Sequence, residues 1–264
     1  MNLIDQKLEQ IKKDKKIGLM THVVVGYPSV TETVEIVKTM EKAGVDFVEL
    51  QIPFSDPLAD GPTIMRACEV SLVNGTKVKD AFVVMKELSS KVSIPLLFMS
   101  YYNIVFRYGV EKFCHDAKNA GASGLIVPDI TIEEERYEHF YHFAKKYDLY
   151  TIQVVSPAST EDRLKKNAAI ARGFVYCTAR QGITGAKRDL DPAIRSYLKK
   201  VKKYFSIPAA VGFGISTKEH VALLRNEADI AIVGSAIIDV IAHASKEDRL
   251  KKITDFISSL KMLK

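Results

Sequence analysis

Three carboxylates, Glu49, Asp56 and Asp60, lie in one segment that begins as an apolar run and continues through Pro53, Pro57 and Pro62. The stretch Asp46–Gln51 reads as a strand, and strand side chains alternate in direction. Phe47, Glu49 and Gln51 therefore share one face, and Val48, Leu50 and Ile52 the other. The wholly aliphatic face suits packing against helices, which turns Glu49 inward. A desolvated carboxyl group can exchange a proton near neutral pH; the competing reading is a buried glutamate held in a structural hydrogen-bond pair. The prolines stiffen the loop beyond the strand, which suits fixed positions for Asp56 and Asp60. Asp60 also stands just before Gly61 and Pro62, and proline favours the first turn of a helix, so a helix-start role competes with a chemical one.

A second group of residues points to an anion. Gly182 and Gly185, Gly212 and Gly214, and Gly234 with Ser235 each follow a strand-like run late in the chain. Glycine lets backbone N–H groups approach an oxyanion closely, and a helix N-terminus adds unpaired N–H groups and a favourable dipole. Gly234 and Ser235 open the short apolar segment Ala236–Ala242, which reads as an extra helix. Any one of these glycines could be a turn residue; their combination after three successive late strands predicts a phosphate site.

Other chemistries lack their parts. No lysine stands at a strand end, so Schiff-base chemistry has no nucleophile. Of the six histidines only His22 is on a strand; His115, His139, His142, His220 and His243 fall on helical stretches, and no metal cluster is expected. His22 itself reads as a pocket-wall or core histidine rather than a proton shuttle. Cys68, Cys114 and Cys177 have no metal or redox spacing and read as reduced, buried thiols. No Gly-x-Gly-x-x-Gly fingerprint marks a dinucleotide site. What remains is metal-free acid–base chemistry on a phosphate ester.

The elements that must hold these residues alternate along the whole chain. Strand-like runs are Met20–Val25, Asp46–Gln51, Pro95–Met99, Gly124–Val127, Tyr150–Val155, Phe174–Thr178, Pro208–Val211 and Asp229–Val233. Helical periodicity follows over Val30–Ala43, Val78–Leu88, Val110–Ala120, Ile132–Tyr147, Thr160–Ala169, Pro192–Tyr204, Thr217–Arg225 and Lys246–Met262. Eight such units predict an α/β fold, a (β/α)8 TIM barrel, with residues 1–264 as a single domain. The spacing of Leu3, Ile4, Leu8 and Ile11 adds an N-terminal helix, and the loops after the second and eighth strands carry extra helices. In such barrels the chemistry sits on loops at the C-terminal ends of the strands, and phosphate is held after strands seven and eight. The composition is that of a soluble protein, with 47 % apolar and 27 % charged residues. No apolar run approaches the roughly 20 residues of a membrane span. The N-terminus reads without a secretory h-region, and the reduced thiols lead to an expected cytoplasmic location. The net charge of +6 comes without aromatics interleaved among the lysines, which argues against nucleic acid and is compatible with a mild attraction for an anionic substrate.

The segment Glu49–Ile64 closely resembles the signature of the tryptophan synthase alpha subunit family. The likeness continues through Gly26–Ser29, Met99–Asn103, Gly124–Asp129, Gly182–Gly185, Val211–Ser216 and Val233–Ser235. It implies cofactor-free retro-aldol cleavage of indole-3-glycerol phosphate to indole and glyceraldehyde 3-phosphate, the penultimate step of tryptophan synthesis. Carried over by position, Glu49 would be the proton donor and acceptor, and Asp60 would hold the indole N–H. Tyr176, which shares a face with Phe174 and Thr178, matches an active-site tyrosine; packing as a core tyrosine is its alternative. Thr184 would bind substrate in a mobile loop over Arg180–Asp191. Gly185, Phe213, Gly214, Gly234 and Ser235 would bind the phosphate. The resemblance also implies a partner, a pyridoxal-phosphate β subunit in an αββα complex with an indole tunnel, and places Asp56 at that interface.

The chain departs from the family pattern at several positions. Gln51 stands where the family usually has glycine, on the face of Glu49; it crowds the indole, donates a hydrogen bond to the Glu49 carboxylate, or, the favoured reading, folds away from the ring plane and is tolerated. Thr21–Val25 replaces a more usual end to the first strand, Ala179 a common serine, and Ile104 a frequent proline. Two further functions stay open: a free-standing lyase that releases indole without a partner, and a weakly active barrel that serves as allosteric activator of a β subunit.

Overall fold

The computed structural model describes residues 1–178, 190–212 and 214–261. Its eight strands are β1 (Gly18–Val24), β2 (Phe47–Gln51), β3 (Leu96–Met99), β4 (Gly124–Ile126), β5 (Tyr150–Val155), β6 (Val175–Thr178), β7 (Ala209–Gly212) and β8 (Ile230–Val233). All pairings are parallel and follow chain order, and β8 closes on β1. Each strand begins and ends within two residues of its expected limits.

Around the barrel run α1 (Leu3–Lys13), α2 (Val30–Ala43), α3 (Pro62–Val73), α4 (Val78–Ser89), α5 (Tyr102–Tyr108) and α6 (Val110–Asn119). They continue as α7 (Glu135–Glu138), α8 (Phe140–Lys146), α9 (Glu161–Ile170), α10 (Pro192–Tyr204), α11 (Lys218–Leu224), α12 (Ser235–His243) and α13 (Arg249–Leu260). The extra helices after β2 and β8 are α3 and α12. Helix-to-strand joints follow local chemistry: Gly44 ends α2 at a φ of +91°, a left-handed conformation that costs a side-chain-bearing residue, and Gly121 does the same after α6 at +93°.

The structure corrects the reading of Ile132–Tyr147 as one helix. It is a 3₁₀ turn (Ile132–Glu134) followed by α7 and α8, separated by His139 at a φ of +54°. The Glu135 carboxylate accepts from Tyr141 N and His142 N, both at 2.8 Å, and so caps a helix that restarts. Helix α5 was not expected. It has seven residues, too few for a periodic signal, and its first N–H is held from another loop, by Asp129 at 2.8 and 3.0 Å.

The strand faces divide as the alternation predicted. Val48, Leu50 and Ile52 join the layer between strands and helices, whereas Phe47 joins the barrel interior with Met20, Leu97, Phe174 and Ile232. Phe47 and Phe174 meet edge to face at 5.7 Å. Ile4 and Ile11 of α1 pack into the same interior cluster. Each such side chain contributes about 1.5–3 kcal/mol by leaving water. One pleat further along β2 the inward side chain is Glu49, and the filling changes from apolar to polar.

Candidate active site

Glu49 is 2 % exposed, yet it is not packed against hydrocarbon alone. The register of β1 and β2 sets His22 directly beside Glu49, and His22 Nδ1 lies 2.8 Å from Glu49 Oε1. The half-buried Tyr176, delivered by β6, donates its hydroxyl to the same oxygen at 3.3 Å. Burial alone would lower the His22 pKa. The hydrogen bond and charge of Glu49, with the charge of Asp60 and the side chain of Gln51, outweigh it and hold the ring above the usual 6.5. Burial, followed by the charge and hydrogen bond of Glu49, pushes the Tyr176 phenol well above its ordinary value, so it stays a donor.

The His22 shift has a measurable consequence. A histidine with a raised folded pKa contributes stability that is complete below the unfolded value near 6.5 and fades as pH rises past the folded one. The stability difference between the protein and a His22→Phe variant, read as urea midpoints, is therefore expected to be larger at about pH 6 than at about pH 9. Equal differences at the two pH values would show that this pairing does not titrate with the fold.

Asp60 is placed by a second set of contacts. Its Oδ2 accepts from Gln51 Nε2 at 2.7 Å and from the Tyr101 hydroxyl at 3.0 Å. Tyr101 in turn accepts from Ala59 N at 3.0 Å and stacks on Phe54 with ring centroids 5.3 Å apart, which ties the proline-stiffened loop to the end of β3. Burial, then the charge of Asp60, raises the Tyr101 phenol far above the usual range. The helix-start reading of Asp60 fails: the residue capping α3 is Gly61, and no side chain caps that end. Sequence reasoning also missed where the Gln51 amide goes. It donates to Asp60, not to Glu49, and Gln51 is fully buried. Tyr101 was not singled out, because nothing in its spacing distinguishes it from a core tyrosine. Asp56 is exposed and accepts from the Ser55 hydroxyl.

The glycine loops lie next to these residues. A side chain built on Gly212 would meet the Tyr176 ring and hydroxyl at 3.6 Å. Gly214 has a φ of +74°, and among the described residues nothing lies within 4 Å of where its Cβ would stand. Gly234 precedes α12 without a side-chain cap, and Ser235 at the head of that helix is exposed. Helix α3 brings the two regions together: Ile64 lies 3.9 Å from the Cβ position of Gly234, and the Thr63 hydroxyl donates to Asp239 of α12 at 3.2 Å. Thr184, Gly185 and Phe213, together with residues 180–189 of the expected loop, lie outside the described residues. Asp191, at the end of that loop, caps α10 through Ala193 N at 2.8 Å.

Comparisons with known proteins agree with this architecture. The sequence profile described as "Tryptophan synthase alpha chain" matches residues 8–263. The tryptophan synthase alpha chain of Desulfotalea psychrophila is 45 % identical over 258 residues, covering 98 % of this chain and 99 % of the relative. That of Caldanaerobacter subterraneus is 41 % identical over 262 residues, 99 % of each. Among solved structures, tryptophan synthase subunit alpha from Legionella pneumophila superposes with a TM-score of 0.90 at 32 % identity, over 98 % of this chain and 97 % of that one. With a profile match over nearly the whole chain, relatives at 41–45 % identity and a shared barrel all pointing one way, the chain belongs to the tryptophan synthase alpha chain family.

Proposed function

We propose that this chain is the alpha subunit of tryptophan synthase, a lyase that cleaves indole-3-glycerol phosphate into indole and glyceraldehyde 3-phosphate, with Glu49 and Asp60 as its working carboxylates. The observation that carries this reading is the pair of separately anchored carboxyl groups at the barrel mouth, each with one oxygen occupied by protein donors. Glu49 gives its proton to C3 of the indole ring. The positive charge that develops spreads to the ring nitrogen, whose N–H faces Asp60. The ionised Glu49 then takes the proton from the hydroxyl on the carbon attached to C3. The carbon–carbon bond breaks, its electron pair returns to the ring as indole, and the hydroxyl carbon leaves as the aldehyde. The proton count closes on Glu49, and no redox step or cofactor enters. In this reading Tyr176 and Thr184 border the substrate, and Gly185, Phe213, Gly214, Gly234 and Ser235 hold the phosphate. The space beside Gly214, free of other described residues, and the uncapped head of α12 support that assignment.

The reading includes a β-subunit partner. Three βα loops in succession leave large apolar side chains in solvent: Leu58 after β2 (87 % exposed), Phe106 after β3 (56 %) and Tyr137 after β4 (68 %). With the exposed Asp56 they give the barrel mouth a rim suited to a protein partner. Residues 1–264 are taken as one domain, because β1 and β8 pair and both ends of the chain build the same barrel. A cytoplasmic location fits the biosynthetic role, and no described helix is long and apolar enough to cross a membrane.

The test is indole release from indole-3-glycerol phosphate with and without β subunit. Slow turnover alone and acceleration of about tenfold or more in the complex is the expected result. An unchanged rate with no complex on a sizing column would favour a free-standing lyase. No indole release in either sample, with β-subunit activity raised, would favour an activator.

A further inference from the structure

The barrel mouth holds two side chains that the cleavage chemistry does not use and that bear directly on the two carboxylates. His22 is 3 % exposed and Gln51 is fully buried. The His22 ring meets Glu49 through Oε1 only, and the Gln51 amide meets Asp60 through Oδ2 only. Three buried polar atoms are left without a hydrogen-bond partner among the described residues: His22 Nε2, Glu49 Oε2 and Gln51 Oε1. A buried pair serving stability alone uses its donors and acceptors, since an unsatisfied buried group costs about 1–3 kcal/mol. Here the unused atoms belong to three neighbouring side chains at one end of the barrel, and one of them is the second oxygen of Glu49.

We propose that His22 and Gln51 are positioning residues: each clamps one oxygen of one carboxylate, so that Glu49 Oε2 and Asp60 Oδ1 are the oxygens presented to the substrate. This rests on Glu49 and Asp60 acting as described above. The backbone explains the arrangement. His22 and Glu49 are register partners on adjacent strands, and Gln51 follows Glu49 on the same face of β2. A glutamate has three side-chain torsions, and a proton donor must lie within hydrogen-bond reach of its target carbon. Fixing Oε1 from β1 and β6 together removes that freedom before substrate arrives. Glycine, usual at position 51 in the family, has no side chain to reach Asp60, so this chain anchors Asp60 by a contact of its own. Asp60 takes its second bond from Tyr101, which leaves the Gln51 contact as the one made from within the barrel wall.

The groups facing His22 are Glu49 and the Gln51 amide from β2 and Asp60 from the loop beyond β2, with the Tyr176 hydroxyl of β6 on the same Glu49 oxygen. Removing the ring takes a hydrogen-bond partner from Glu49 Oε1, so the kcat–pH profile is expected to change.

The experiment compares wild type, His22→Phe, His22→Asn, Gln51→Leu and Glu49→Gln as full-length chains, with kcat, KM and the pH profile measured on indole-3-glycerol phosphate. His22→Phe is expected to lower kcat about tenfold with KM within about threefold, and to shift the pH profile. His22→Asn, whose amide can donate from roughly the Nδ1 position, should recover most of that loss. Gln51→Leu keeps the volume and should lower kcat several-fold without a shift in the pH profile. If His22→Phe does not fold, as judged by its thermal transition, His22→Asn and Gln51→Leu against wild type carry the test. An unchanged kcat and pH profile in folded His22→Phe, or no recovery in His22→Asn, overturns the inference while an inactive Glu49→Gln leaves the cleavage mechanism standing. Wild-type turnover in Glu49→Gln overturns both.

Discussion

Glu49→Gln is expected to lose about 10²–10⁴-fold in turnover while KM stays within a few-fold, since a positioned acid–base group supplies roughly that factor. The substitution is close to isosteric. The amide oxygen can still accept from His22 Nδ1–H and from the Tyr176 hydroxyl, so the side chain keeps its direction. What it loses is the proton it could give to the ring and the basicity it needs to take one back. The substitution keeps the shape of the side chain, so binding should persist. Stability should not fall in parallel: a buried carboxylate is costly to desolvate, and its neutral isostere removes that cost along with the attraction to His22. Single-turnover indole release checks the prediction. Turnover within about tenfold of wild type would remove Glu49 from the chemistry and leave it as a structural partner of His22.

How far the sequence reveals this site depends on which force places each residue. The inward direction of Glu49 was legible because alternation along β2 is local and the opposite face is unbroken aliphatic. Its neighbours were less so. His22 was read as a wall or core residue, because its contact with Glu49 depends on the β1–β2 register, which only the closed barrel sets. Gln51 was placed on the correct face, but its long side chain reaches past Glu49 to a loop residue, a choice that alternation does not decide. Tyr101 was missed because it reaches Asp60 from the end of another strand. The helix-start reading of Asp60 came from the proline that follows it; the proline does open α3, but Gly61 fills the cap. The division at His139 has the same origin, since the acceptor that restarts α8 is a glutamate from the preceding turn. Periodicity and turn chemistry reveal elements and faces, whereas contacts between elements need the closed fold.

Asp60 gives the clearest separation of chemistry from structure. Asp60→Asn is expected to lower turnover about 10²–10³-fold, the range seen when one electrostatic contact to a developing charge is removed. Both protein contacts of Asp60 converge on Oδ2, from Gln51 Nε2 and the Tyr101 hydroxyl. An asparagine that turns its carbonyl oxygen to those two donors keeps both hydrogen bonds. The opposite flip would set its N–H₂ against the Gln51 amide, two donors face to face, so the first orientation wins. The amide nitrogen then stands where Oδ1 stood, and it meets the indole N–H as donor against donor. The ring also loses its counter-charge when C3 is protonated. The loop should therefore stay in place, with the change in stability below about 1 kcal/mol, or roughly 2–4 °C in Tm for a chain of this size. Because the penalty grows as positive charge appears on the ring, kcat should fall more than KM rises. Measuring kcat, KM and the thermal midpoint on the same preparation decides the matter. A large drop in Tm with turnover preserved would make Asp60 a brace for its loop and return the stabilisation of the indole ring to another group.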